Sequence, residues 1–144
     1  MLQTILKQKV RLVMILKSSL QLNDKPICKL NTSTQTVYKL IPDSLTYETF
    51  TFHSDCIKYH LSHMISQNRS RLQNLVDKNE IYEYLYSLEE KVSTAIFNQV
   101  EKWKQSDKEY IIAIEKGDIK KAAGLENCLN YMAREMIFDC MVYL

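Results

Sequence analysis

The stretch IYEYLYSLEEKVSTAIFNQVEKW, Ile81 to Trp103, sets apolar side chains at Ile81, Leu85, Leu88, Val92, Ala95, Ile96 and Trp103. Steps of three and four residues put them on one face of a helix about six turns long. The other face carries Glu83, Glu89, Glu90, Lys91, Asn98 and Lys102. A striped helix needs partners to bury its stripe. Two segments share its period, Ile57 to Val76 before it and Ile119 to Tyr143 after it. The expected fold is mainly α, a small bundle of three to five helices.

Composition agrees with that expectation. At 144 residues, 46% hydrophobic and 25% charged, the chain has the size of one domain, which buries about two-thirds of its unfolded surface. Two glycines and two prolines leave little room for a turn-rich all-β fold. The expectation is a single domain over 1–144 in three parts: an amphipathic basic segment at 1–22, a loop or β-hairpin arm at 23–52, and a helical bundle at 54–144.

The segment 1–22 satisfies two periods. Leu2, Leu6, Val13, Leu16 and Leu20 suit a helix, whereas Val10, Leu12, Met14 and Leu16 alternate as in a strand. We take the helical reading. Residues 1–30 hold Lys7, Lys9, Arg11, Lys17, Lys25 and Lys29 against Asp24 alone, in a chain of net charge +2. Lys7, Arg11 and Lys17 are therefore the candidates for nucleic-acid phosphates, with an ordinary docked amphipathic helix as the alternative.

In the arm, the polar Asn31-Thr-Ser-Thr-Gln35 precedes β-prone runs at Thr36 to Ile41 and Thr46 to Phe52, with Pro42-Asp43 marking the turn. Ser54 or Asp55 is expected to cap the first bundle helix, which runs to Val76. Asn79 is expected to cap the central helix. Ser106 with Glu109 reads as a capping box for a short helix closed by Gly117. The last helix begins at Asp118. Its inner face is expected to hold Ile119, Ala122, Leu125, Leu129, Met132, Ala133, Met136, Ile137, Cys140 and Met141.

Chemistry-bearing clusters are few. His53, Cys56, His60 and His63 fall on one helical face, and Cys56, His60 and His63 are weak metal candidates. Four ligands strung over three turns cannot all converge on one ion, so hydrogen-bonded imidazoles and no metal or other cofactor are expected. Glu89 and Glu90 diverge by about 100° and cannot work as a carboxylate pair. No serine sits in a nucleophile elbow and no glycine-rich loop can cradle a phosphate, so the expectation is no enzyme and no small-molecule substrate. Cys28, Cys56, Cys128 and Cys140 are spaced for neither a zinc knuckle nor a redox pair, and read as buried, reduced thiols of a cytoplasmic protein. No apolar run approaches transmembrane length.

Tyr82, Tyr84 and Tyr86 are the candidates for a protein-binding patch, since tyrosine is enriched at interface hot spots. The alternative is that they are boundary residues, ring inward and hydroxyl in water.

Several runs carry a family likeness. They are Asn68-Arg-Ser-Arg-Leu72 followed by Leu75-Val76, then Glu80-Ile-Tyr-Glu-Tyr-Leu85 and Leu88-Glu-Glu-Lys-Val92. The ending adds Asn127, Ala133, Glu135, Met136-Ile137 and Met141-Val-Tyr143, and the arm adds Tyr38-Lys-Leu-Ile-Pro42 with Leu45. Together these resemble the TnpV family of small proteins encoded by transposons and other mobile elements of Gram-positive bacteria. The family's Gly-Lys-Tyr-Gly before the first bundle helix is replaced here by His53-Ser-Asp-Cys56. The resemblance implies a non-catalytic accessory of a mobile element. Such an accessory would bind a recombinase or a second copy of itself, or, as the alternative, DNA through its basic N-terminal segment.

Overall fold

A computed structural model of the chain describes residues 14–143, and 60% of these are helical. The described residues form two compact units that divide between Glu89 and Glu90.

The first unit opens with strands. Ile15–Lys17 (β1), Cys28–Asn31 (β4), Thr36–Ile41 (β5) and Thr46–Thr51 (β6) make an antiparallel sheet in the order β1-β4-β5-β6. Gln21–Leu22 (β2) and Lys25–Pro26 (β3) form a small separate hairpin. Its two-residue loop, Asn23 and Asp24, has φ of 49° and 61°, the left-handed pair a tight hairpin turn needs and that these residue types tolerate. The β5–β6 hairpin pairs Ile41 with Thr46 around the expected Pro42-Asp43 turn, and Leu45 takes a φ of 57°. Between β4 and β5 the chain turns at Asn31, whose side-chain oxygen accepts from the Ser33 and Thr34 amides.

This four-stranded sheet is larger than a short arm, and it overturns the helical reading of the first segment over the described residues. Residues 15–17 are a strand because Leu16 faces Leu30 across a ladder, and the helix Arg69–Asp77 fastens that edge. Gln73 donates to the Lys17 carbonyl (2.8 Å), and the Ser19 amide donates to Asp77 (2.9 Å). Residues 2–13 of that reading lie outside the described residues.

The helices of this unit are Asp55–Gln67 (α1), Arg69–Asp77 (α2) and the start of Ile81–Lys104 (α3). The expected single helix to Val76 breaks at Asn68, whose side chain caps α2 by accepting from the Arg71 amide. Asn79 does not cap α3: it adopts φ 57°, and its buried side-chain oxygen has no hydrogen-bond partner among the described residues. Leu30, Val37, Ile57, Leu61, Leu72, Val76, Ile81 and Leu85 are almost completely buried here. Leu88 is only half-buried.

The second unit holds the rest of α3, Lys108–Glu115 (α4) and Ile119–Ile137 (α5), which ends in a π-helical turn at Phe138–Val142. Asp107, not Ser106, caps α4 by accepting from the Tyr110 amide at 2.9 Å, while the Ser106 hydroxyl donates to the Trp103 carbonyl. Gly117 ends the turn at φ 70°, a left-handed conformation that suits glycine. Asp118 caps α5 as expected, accepting from the Lys121 amide. The core groups Val100, Leu129 and Ala133, with Ile96 and Trp103 packed against them. The expected inner face of α5 is corrected: Ala122, Leu129 and Ala133 are buried, but Ile119, Met132, Met136 and Cys140 are exposed. That apolar stripe is wider than one neighbouring helix can cover.

Candidate functional site

On the inner face of the sheet, the register aligns Leu30 with Val37 and Val37 with Phe50. Tyr82, one residue into α3, meets this face. Its ring lies 4.4 Å from that of Phe50 and 5.8 Å from that of Phe52. One turn on, Tyr86 stacks against Tyr82 at 6.0 Å. Residues four apart share a helix face, and this pair needs no other cause. Lys39 from β5 sits 5.2 Å above the Tyr82 ring and pairs with Glu83. Burial pushes the Glu83 carboxyl up, but the Lys39 hydrogen bond and charge outweigh it and hold the group below its ordinary value.

Around this aromatic ladder lies a cleft of about 390 Å³ lined by Phe50, Thr51, Phe52, His53, Ser54, Tyr82 and Glu89. Phe52 is buried, His53 is exposed, and Ser54 donates to Glu89 at 2.6 Å across the rim. The Ser54 hydroxyl thus serves the rim, although Ser54 stands at the N-cap position of α1. Beside the cleft, β6 is an edge strand of the sheet among the described residues. An apolar floor with a few fixed polar groups is the geometry that accepts an apolar or aromatic side chain of a partner.

Of the three tyrosine candidates, then, Tyr82 and Tyr86 come together, with Tyr86 exposed at 47%. Tyr84 faces elsewhere. Its hydroxyl shares a 2.7 Å hydrogen bond with Nε2 of the buried His60, and Arg71 lies 5.4 Å from its ring. Burial raises the Tyr84 hydroxyl pKa, and the Arg71 charge opposes that rise. Tyr84→Phe removes the bond to His60 and is expected to destabilise the protein by about 1 kcal/mol, a typical net value for one hydrogen bond. A urea midpoint equal to wild type would refute this role.

The metal candidates diverge. Cys56 and His60 are buried, His63 is half-buried, and among the described residues no group of three or more His, Cys, Asp or Glu is placed to hold an ion. Of the nucleic-acid candidates, Lys17 is exposed on β1, and Lys7 and Arg11 lie outside the described residues. The thiols are not all buried: Cys28 and Cys56 are, but Cys128 and Cys140 are exposed. Burial pushes the Cys28 thiol up to about 11, against the pull of Lys39 and with a push from Glu83. Sequence reasoning missed Phe50 and Phe52 as site residues. The alternation in Thr46 to Phe52 was the available signal, since it puts Phe50 and Phe52 on one face.

Among the described residues no helix is long and apolar enough to cross a membrane. In comparisons with known proteins, no family model, no curated protein and no solved structure matches the chain.

Proposed function

We propose that this protein is a non-catalytic accessory of a mobile genetic element that acts by holding a protein partner, the element's recombinase, in the Phe50–Phe52–Tyr82 cleft and against Tyr86 beside it. The observation that carries the binding mode is the aromatic ladder, with Tyr86 47% exposed and Phe52 buried, beside a strand that is the sheet's edge among the described residues. The resemblance of residues 68–92 and of the closing helix to TnpV proteins supports the mobile-element setting. Aromatic anchors in a small apolar cleft supply a large part of an interface's affinity.

The test is titration calorimetry of the protein against the recombinase of the proposed mobile element. Wild type is expected to bind, and Tyr86→Ala to bind at least about tenfold more weakly with its melting temperature unchanged, as for a hot-spot truncation. Absence of binding, or equal affinity of Tyr86→Ala, would overturn the reading. Salt-sensitive retardation of duplex DNA by the protein, lost on replacing Lys7, Arg11 and Lys17 by Ala, would point instead to a DNA-binding accessory.

A further inference from the structure

The outer face of α5 has an order that the partner cleft does not explain. Lys121, Gly124, Cys128, Tyr131, Met132 and Glu135 recur at steps of three and four residues, so they share one face, which flanks the buried Ala122, Leu129 and Ala133. All six are exposed, Tyr131 at 64% and Met132 at 54%. Nothing lies within 4 Å of where a Cβ on Gly124 would stand. The stripe is basic at one end and acidic at the other, with the small Gly124 and Cys128 followed by the large Tyr131 and Met132 between them.

We infer that α5 pairs with α5 of a second copy of this chain, antiparallel, about a two-fold axis at Cys128. That register sets Lys121 opposite the partner's Glu135, each seven residues from the axis, and does so twice by symmetry. It also sets Gly124 opposite the partner's Met132, each four residues from the axis, with Tyr131 alongside, so large side chains fill the space that glycine leaves. Cys128 at the axis and Gly124 near it let two helices approach closely, and Tyr131 and Met132 bury apolar area. Charge order selects the antiparallel direction: a parallel pair would align lysine with lysine and glutamate with glutamate. One helix pair covers less than a standard interface, so the dimer depends on concentration. The pairing uses neither Tyr86 nor any residue of the Phe50–Phe52–Tyr82 cleft, and either assignment stands or falls without the other.

The experiment follows mass by sedimentation and follows capture by a short bismaleimide in a Cys140→Ser background, where Cys128 is the remaining exposed thiol among the described cysteines. Wild type is expected to shift from monomer to dimer as concentration rises, and Cys128 to be joined to Cys128. Glu135→Lys should weaken the dimer at least about tenfold by facing two like charges across each pair, and Lys121→Glu in the same chain should restore it. Tyr86→Ala should leave it unchanged. A monomer throughout the millimolar range, a dimer indifferent to Glu135→Lys, or failure of the charge-swapped double variant to recover would each overturn the pairing. Circular dichroism of the single variant confirms that it remains folded.

Discussion

Leu85→Ala is expected to lower stability by about 2–5 kcal/mol, the usual range for emptying a fully buried leucine site. Leu85 is 0% exposed and lies in the same unit as the equally enclosed Ile57, Leu72, Val76 and Ile81. Removing its side chain loses the transfer free energy of the deleted carbons and leaves a cavity that close-packed neighbours fill only in part. Small domains hold about 5–15 kcal/mol in all, so this one change would take a large share. Leu88, three residues on and only half-buried, sets the contrast: its replacement by Ala should cost clearly less. Urea unfolding of both variants beside wild type decides the matter. Equal losses, or a wild-type midpoint for Leu85→Ala, would mean that α3 is rotated from the face described.

Much of the helical part was legible in the residues because one cause, burial of a stripe, fixes both period and face. Ile81, Leu85 and Val92 follow it, and Asp118 caps α5 as the sequence indicated. The β5–β6 hairpin was legible too, since its β-prone runs flank a Pro-Asp turn. The strand at Ile15–Lys17 was not. Leucine and lysine there fit both periods, and what settles the choice is a ladder to Cys28–Asn31 and two bonds from α2, all tertiary. The break at Asn68 was also hidden. The apolar period skips one turn there and resumes in phase at Leu72, and the Asn68 side chain, spent on the Arg71 amide, caps the new helix.

The candidate site shows the same division. The Tyr82–Tyr86 stack follows from their four-residue spacing, and Tyr84 goes elsewhere because two residues rotate it to another face. Phe50 enters from a strand more than thirty positions earlier, which no local pattern specifies. The outer face of α5 misled for a different reason. Periodicity tells that an apolar face is to be covered, not by what, and Met132 and Met136 stand in solvent on this chain.

Leu129→Ala is expected to cost the second unit about 2–5 kcal/mol, through the same loss of transfer energy plus cavity. Leu129 is 7% exposed and is the largest of the three side chains at the centre of that unit's core, beside Val100 and Ala133. Its buried neighbours Val100 and Ala133 are small, and Ile96 and Trp103 pack against the cluster only partly buried, so the space it leaves fills only in part. Trp103, the chain's one tryptophan, packs against this cluster, so its fluorescence reports the unfolding directly. Met132→Ala, three residues further along α5 but 54% exposed, is the control and should change stability by no more than about 0.5 kcal/mol. Both are to be measured at concentrations too low for two copies of α5 to pair. An unchanged midpoint for Leu129→Ala, or an equal loss from Met132→Ala, would show that α5 packs through a different face, and the antiparallel pairing about Cys128 would fall with it.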